Sequence, residues 1–251
     1  MLVGRDPRKM NAAVDEVKRR VGVPAVPDSW LCEFGSQAQI RKLASDVLAK
    51  YDRLDVLVNN AGLATQWREV TEDGIERTFA VNHLGPFLLT NLLLDLLLRS
   101  APARVVNVAS IEHYDATMDF ADLGFERGGW GMAKAYRRSK LGNVLFTRTL
   151  AKRLEGKGVT VNAVHPGAVA TGIWDIAPGW MHPLIWLLKR LIMITPDKAA
   201  KSIVQLASSA EVEGKTGLYF NKLQPKEPSK LALDDELAER LWAESARVVK
   251  L

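Results

Sequence analysis

A chain of 251 residues, 47% hydrophobic and 25% charged, has the size and balance of one α/β domain with a substantial core. Its net charge of +5 is too diffuse for a nucleic-acid reader, and its four histidines (His83, His113, His165, His182) are too dispersed for a metal site. The one cysteine, Cys32, rules out an internal disulfide and fits a reducing compartment, so a cytoplasmic setting is expected.

Met1 to Gly4 reads as the tail of a strand, followed by a helix from Pro7 to Arg20 with Asp6 as N-cap and Pro7 at its first position. Arg5, Arg8, Lys9, Lys18, Arg19 and Arg20 gather here, chiefly as a solvated face. Ser29 to Phe34 is a weak strand, and Ser36 caps a helix that runs to Tyr51. Leu54 to Val58 is a short apolar strand suited to burial on both faces, and it runs into Asn59-Asn-Ala-Gly62. Gly74 to Arg99 reads as the longest helical stretch, bent or interrupted near Gly85-Pro86. Within it, Leu88 to Leu98 is too short to span a bilayer and reads as a buried helix. Arg104 to Ala109 is a strand, Gly131 to Gly156 contains a helix, and Val159 to Val164 is a strand ended by His165-Pro-Gly167. Thr195 to Ser209 is a helix with Pro196 at its first position, Gly217 to Phe220 a last strand, and Asp234 to Val249 a closing helix. Strands alternating with helices predict a parallel sheet with crossover helices, in one domain over residues 1–251.

Tyr136 and Lys140 stand four residues apart, which puts a phenol and an ammonium on one helix face. Free tyrosine has a pKa of about 10, so proton transfer near neutrality needs a shift of roughly three units, or about 4 kcal/mol. A lysine one helical turn away favours the phenolate by Coulomb attraction. Ser110 ends its strand at the carboxyl side, where ligands of open α/β sheets bind, and its hydroxyl could orient a carbonyl or alcohol oxygen beside the phenol. Alone, Tyr-x-x-x-Lys is more often a surface pair. The surroundings reverse that. Asn82 in Val81-Asn-His-Leu-Gly85 is an amide in an apolar helix, and leaving it unsatisfied would cost about 1–3 kcal/mol. It could brace backbone carbonyls, hold a water next to Lys140, or do both.

With these motifs in this order, the chain resembles a short-chain dehydrogenase/reductase, especially the retinol-dehydrogenase-like branch. The signatures are Asn59-Asn-Ala-Gly62, Val81-Asn-His-Leu-Gly85, Ser110, Tyr136-x-x-x-Lys140, His165-Pro-Gly167 with Thr171, and the stretch Ser139-Lys-Leu-Gly-Asn-Val-Leu-Phe146. The resemblance implies a Rossmann-type doubly wound parallel sheet. It makes Tyr136 the general acid/base, with Lys140 lowering its pKa and holding the nicotinamide ribose. Ser110 would position the substrate oxygen and Asn82 maintain a proton relay. Asn59, Ala61 and Gly62 would border the adenosine and ribose, and Pro166, Gly167, Val169 and Thr171 would wrap the nicotinamide. Arg5 lies where the ribose 2′-position falls, so NADP(H) is favoured over NAD(H), against the plainer reading of a solvated helix-start arginine. Glu33 stands where the family carries an aspartate near the adenine.

The family pattern opens with a strand, a glycine-rich turn and a helix, and Met1 falls inside its second strand. The expected consequence is a gap of about 10 Å in the sheet, two strand spacings, without the turn that cradles a pyrophosphate. The expectation is that a version extended upstream is active and the chain as written has negligible activity. The alternatives are a catalytically silent binding or dimerisation protein and a complete enzyme with a rearranged sheet. Residues 172–195 are expected to cover the substrate, and Trp174, Trp180 and Trp186 there favour a lipophilic alcohol or carbonyl. Residues 180–194 read equally as an interfacial amphipathic helix giving peripheral membrane contact, or as an ordinary core-covering one. The resemblance also implies a homo-oligomer built on the 74–99 and 136–156 helices.

Overall fold

Short β-branched runs become strands between amphipathic helices. In the computed structural model, which describes residues 1–21, 26–169 and 194–251, the first strands are β1 (Leu2–Gly4), β2 (Ser29–Leu31) and β3 (Val56–Asn59). They are followed by β4 (Ala103–Val108), β5 (Val159–His165), β6 (Tyr219–Asn221) and β7 (Gln224–Pro225). β3, β4, β5 and β6 run parallel in that order and β7 closes the edge antiparallel, while β1 and β2 form a separate parallel pair. Among the described residues β1 pairs only with β2 and β3 only with β4, so each keeps an open ladder edge. This is the break expected between the second and fourth strands of the family pattern. It also corrects the expectation for β3: Val58 is 37% exposed beside buried Leu57 and Asn59, because an edge strand is not covered on both faces.

The helices are α1 (Pro7–Val21), α2 (Gln37–Lys50), α3 (Arg77–Phe79), α4 (Gly85–Leu92) and α5 (Leu94–Arg99). They continue with α6 (Met132–Arg153), α7 (Pro196–Ser208), α8 (Lys230–Leu233) and α9 (Asp235–Val249). Their starts follow local chemistry. The Asp6 carboxylate accepts from the amides of Arg8 (2.8 Å) and Lys9 (3.1 Å), and Ser36, Thr195 and Asp234 cap α2, α7 and α9. Among the described residues, four short elements were not expected: 3₁₀ turns at Ile111–Asp115 and Ala210–Val212, strand β7 and helix α8.

The 74–99 stretch is interrupted next to Gly85-Pro86, as expected, but by a π turn at Ala80–Leu84; it starts at Arg77 and breaks again at Leu93. Pro86 sits at the start of α4, where its missing N–H costs nothing. The longest helix among the described residues is α6, not this stretch.

Helices cover both sheet faces, as a doubly wound fold requires. α4 and α6 pack on one side, with α9 laid across them through Trp242, whose ring centroid lies 4.9 Å from Phe87 and 5.8 Å from Phe146. α7 covers the other side, where Leu206 joins Val106, Val164 and Phe220. The helix faces expected to meet a second copy are thus already occupied by α9 of the same chain.

Candidate active site

Three parallel strands end at one rim. β3 delivers Asn59-Asn-Ala-Gly62, β4 delivers Ser110, and β5 delivers His165-Pro-Gly167, while α6 crosses beneath with Tyr136 and Lys140. That rim is the carboxyl end of the sheet, where open α/β folds bind ligands.

Ser110 caps the 3₁₀ turn after β4, its hydroxyl accepting from the Glu112 amide at 3.3 Å. The same side chain lies near the Tyr136 phenol and favours its ionised form. The Lys140 ammonium lies 5.6 Å from the Tyr136 ring centroid and donates to the Val108 carbonyl at 2.8 Å. Lys140 is buried, and that burial lowers its pKa to about 8. Burial raises the Tyr136 phenol above its ordinary value, the Ser110 side chain opposes this, and the Glu112 carboxylate adds to the rise. The expected depression of the phenol by Lys140 is therefore not present in the unliganded protein. A charge about 6 Å away is worth roughly 3 kcal/mol at an effective dielectric of 20, so a second cation near the ring would be needed to overcome the burial.

Asn82 sits on the π turn and is wholly buried. Its Oδ1 accepts from the Leu63 amide (2.8 Å) and its Nδ2 donates to the Leu63 carbonyl (2.9 Å) and to Ser139 Oγ (2.9 Å). Ser139 in turn donates to the Tyr136 carbonyl at 2.8 Å. Asn82 therefore clips the loop after β3 to the catalytic helix, which is the bracing reading of this residue. Gly62 lies directly beneath that clip, for a Cβ there would stand 3.4 Å from both Asn82 Oδ1 and Lys140 Nζ.

Not every residue of the expected set meets at this point. The Asn59 amide turns into the fold, donating to Thr90 Oγ1 (2.9 Å) and Asn107 Oδ1 (2.8 Å), so only its backbone is left to face a nucleoside. Ala61 lies between them, partly buried. Pro166 follows β5, Gly167 takes the left-handed region at φ 109°, and Val169 bridges Ile194. Thr171 and residues 172–193, including Trp174, Trp180 and Trp186, lie outside the described residues. Arg5 and Glu33 form their own pair at 3.5 Å, Arg5 being 55% exposed, and Glu33 is also held by Arg77 at 3.1 Å. Ser139 was missed by the sequence reading, although a small hydroxyl between Tyr136 and Lys140 on an inward face was a signal. No helix among the described residues is long and apolar enough to cross a membrane.

Lys140 gives the test of fit for a nicotinamide cofactor. An ammonium has three donors, and among the described residues only the Val108 carbonyl accepts from it, so a ribose diol would find donors there. At that end the residues fit.

A parallel sheet with a serine, a tyrosine and a lysine at its carboxyl rim defines a nucleotide-binding oxidoreductase class. A family model described as "short chain dehydrogenase" matches residues 1–178. Retinol dehydrogenase 13 of Homo sapiens is 40% identical over 259 aligned residues, covering 100% of this chain and 77% of that protein. Retinol dehydrogenase 14 of Homo sapiens is 43% identical, covering 87% of this chain and 66% of that protein. The crystal structure of an uncharacterized protein from Mycobacterium Paratuberculosis superposes with a TM-score of 0.77 at 28% identity, over 99% of this chain and 83% of that one. The chain belongs to the short-chain dehydrogenase/reductase family, in its retinol-dehydrogenase-like branch, and is an oxidoreductase of the kind that uses a nicotinamide cofactor.

Proposed function

We propose that the protein interconverts an alcohol and a carbonyl on a lipophilic small molecule, with NADP(H) as cofactor and Tyr136 as the general acid/base. The observation that carries this reading is the convergence of Ser110, Tyr136 and Lys140 at one rim, with the Lys140 ammonium 5.6 Å from the Tyr136 ring and the Ser110 side chain near enough to favour the phenolate. In this reading Ser110 fixes the substrate oxygen beside the phenol, and Tyr136 gives or takes the proton at that oxygen. Lys140 holds ribose hydroxyls and favours the phenolate. Asn82 keeps the loop over Lys140 in register. A bound nicotinamide dinucleotide supplies or accepts the hydride.

Arg5 supports NADP(H) over NAD(H). Glu33 keeps Arg77 as a partner, so Arg5 can turn to a 2′-phosphate without leaving that carboxylate bare. A lipophilic substrate is supported by the tryptophans of residues 172–195 and by the names of the relatives, which carry retinol. A cytoplasmic location with peripheral membrane contact through 180–194, and homo-oligomerisation through a surface other than α4 and α6, complete the proposal. The test is NADPH consumption against carbonyl compounds graded by hydropathy. Turnover that rises with hydropathy is expected, and turnover only with charged carbonyls would contradict the substrate class.

The alternative reading, a catalytically silent binding or dimerisation protein, is not favoured by the family match. Fluorescence titration with NADPH separates the two: the silent reading requires no binding with retained self-association.

A further inference from the structure

His113 is buried two residues beyond the start of the turn that Ser110 caps, and none of the roles assigned above uses it. Both its ring nitrogens are engaged. Nδ1 lies 2.7 Å from the Ser110 carbonyl oxygen, and the Ser229 backbone amide donates to Nε2 at 3.1 Å. A carbonyl can only accept and an amide N–H can only donate, so the geometry permits one state: neutral, with the proton on Nδ1. The His113 backbone amide also donates to the Ser110 carbonyl at 3.3 Å, so that one oxygen is gripped twice by the same residue.

The ring cannot swing away from this position. It is held between Tyr114 and Tyr219, at centroid distances of 4.2 and 4.6 Å. Tyr114 donates from its hydroxyl to the Glu227 carbonyl, and Ser229 caps α8, accepting from the Ala232 amide at 3.3 Å. The titratable groups facing the imidazole are the phenols of Tyr114 and Tyr219, the Lys226 ammonium and the His165 imidazole. No carboxylate is recorded among these groups to stabilise a second ring proton, and burial with Lys226 nearby opposes one.

We infer that His113 is a positioning residue for Ser110, its Nδ1–H clamping the serine's carbonyl while the Ser229 amide, at the start of α8, locks the ring. The aim of the Ser110 hydroxyl at Tyr136 is thereby set from the C-terminal segment, which is distant in sequence. A misplacement on the order of 1 Å at a reacting group can cost about a hundredfold in rate, so a clamp two bonds from the serine Cα bears directly on turnover.

This inference rests on the role proposed for Ser110, and the experiment keeps the two apart. Long-range proton–nitrogen spectra of 15N-histidine-labelled protein read the tautomer without any turnover, with the His113 signals assigned by their loss in His113→Asn. An Nδ1–H ring that stays neutral through pH 6 is expected. An Nε2–H ring, or one titrating at an ordinary histidine value, would overturn the clamp. His113→Phe is expected to lower kcat roughly tenfold or more with KM for NADPH unchanged, and His113→Asn, whose amide can replace Nδ1–H, to recover most of it. Equal kcat in wild type and His113→Phe, alongside a Ser110→Ala variant that loses activity, defeats this inference alone. A fully active Ser110→Ala defeats the role of Ser110 itself.

Discussion

Lys140 shows how a residue proposed for the active site can oppose stability. An ammonium wholly inside the fold with one recorded carbonyl acceptor has its pKa lowered to about 8, so the unfolded chain binds the extra proton more readily between there and the ordinary lysine value of 10.5. Stability therefore rises with pH across that window, and below it the buried charge is a standing cost. Lys140→Met is expected to abolish turnover and yet raise unfolding free energy by about 2 kcal/mol at pH 7, measured by urea denaturation. Arg5 belongs to the opposite regime. Its pair with Glu33 is half-exposed and worth little to stability. Arg5→Ala is expected to leave the denaturation midpoint in place and to raise KM for NADPH roughly tenfold, about 1.4 kcal/mol, with KM for NADH nearly unchanged. Both residues were legible from spacing and charge. The commitment of Asn59 to Thr90 and Asn107 was not, because an amide at a strand end can face either layer and only the fold decides.

At the scale of elements, the π turn at Ala80–Leu84 is what aims Asn82 at Leu63. A buried amide in an apolar helix announced that partners were needed. It could not announce the π turn, since one extra residue in a helical turn leaves the apolar pattern almost unchanged. Asn82→Ala is expected to strand the Leu63 N–H and C=O and cost about 2–3 kcal/mol, read by thermal denaturation, with activity lost as well. The turn also meets α6 at close range: a Cβ on Gly142 would stand 2.9 Å from His83 Nδ1. Gly142→Ala should push the turn and α6 apart, destabilising by about 1–3 kcal/mol, while Ala at the helix start Gly131, where an added Cβ would meet nothing within 4 Å, should be nearly neutral. The 3₁₀ turn at Ile111–Asp115 and helix α8 escaped the sequence reading for a related reason. They are short, lack a full apolar period, and exist because His113 and Ser229 meet across the chain.

At the scale of the molecule, the parallel sheet with crossover helices and the one-domain reading followed from alternating apolar and helical patterns, while the break between β1 and β3 was what the family resemblance implied. The burial of α4 and α6 under α9 did not, because nothing in those helices' own patterns says whether a second copy or the same chain covers them. The interior also sets an acid limit. Burial lowers the pKa of both His83 and His165 from 6.5 to about 4. The unfolded chain binds those protons first, so stability is full above pH 6.5 and is lost as pH falls toward 4, by about 3 kcal/mol for His83 alone. Urea midpoints should fall between pH 7 and pH 5, and less so in His83→Gln. All of this frames one claim, that the phenol at the carboxyl rim of the sheet performs proton transfer in a nicotinamide-dependent reaction. The most direct measurement is kcat for NADPH-dependent reduction of a lipophilic carbonyl by the protein and its Tyr136→Phe variant. A fall of about a hundredfold or more with NADPH affinity retained is predicted, and equal turnover by the two proteins would contradict the account.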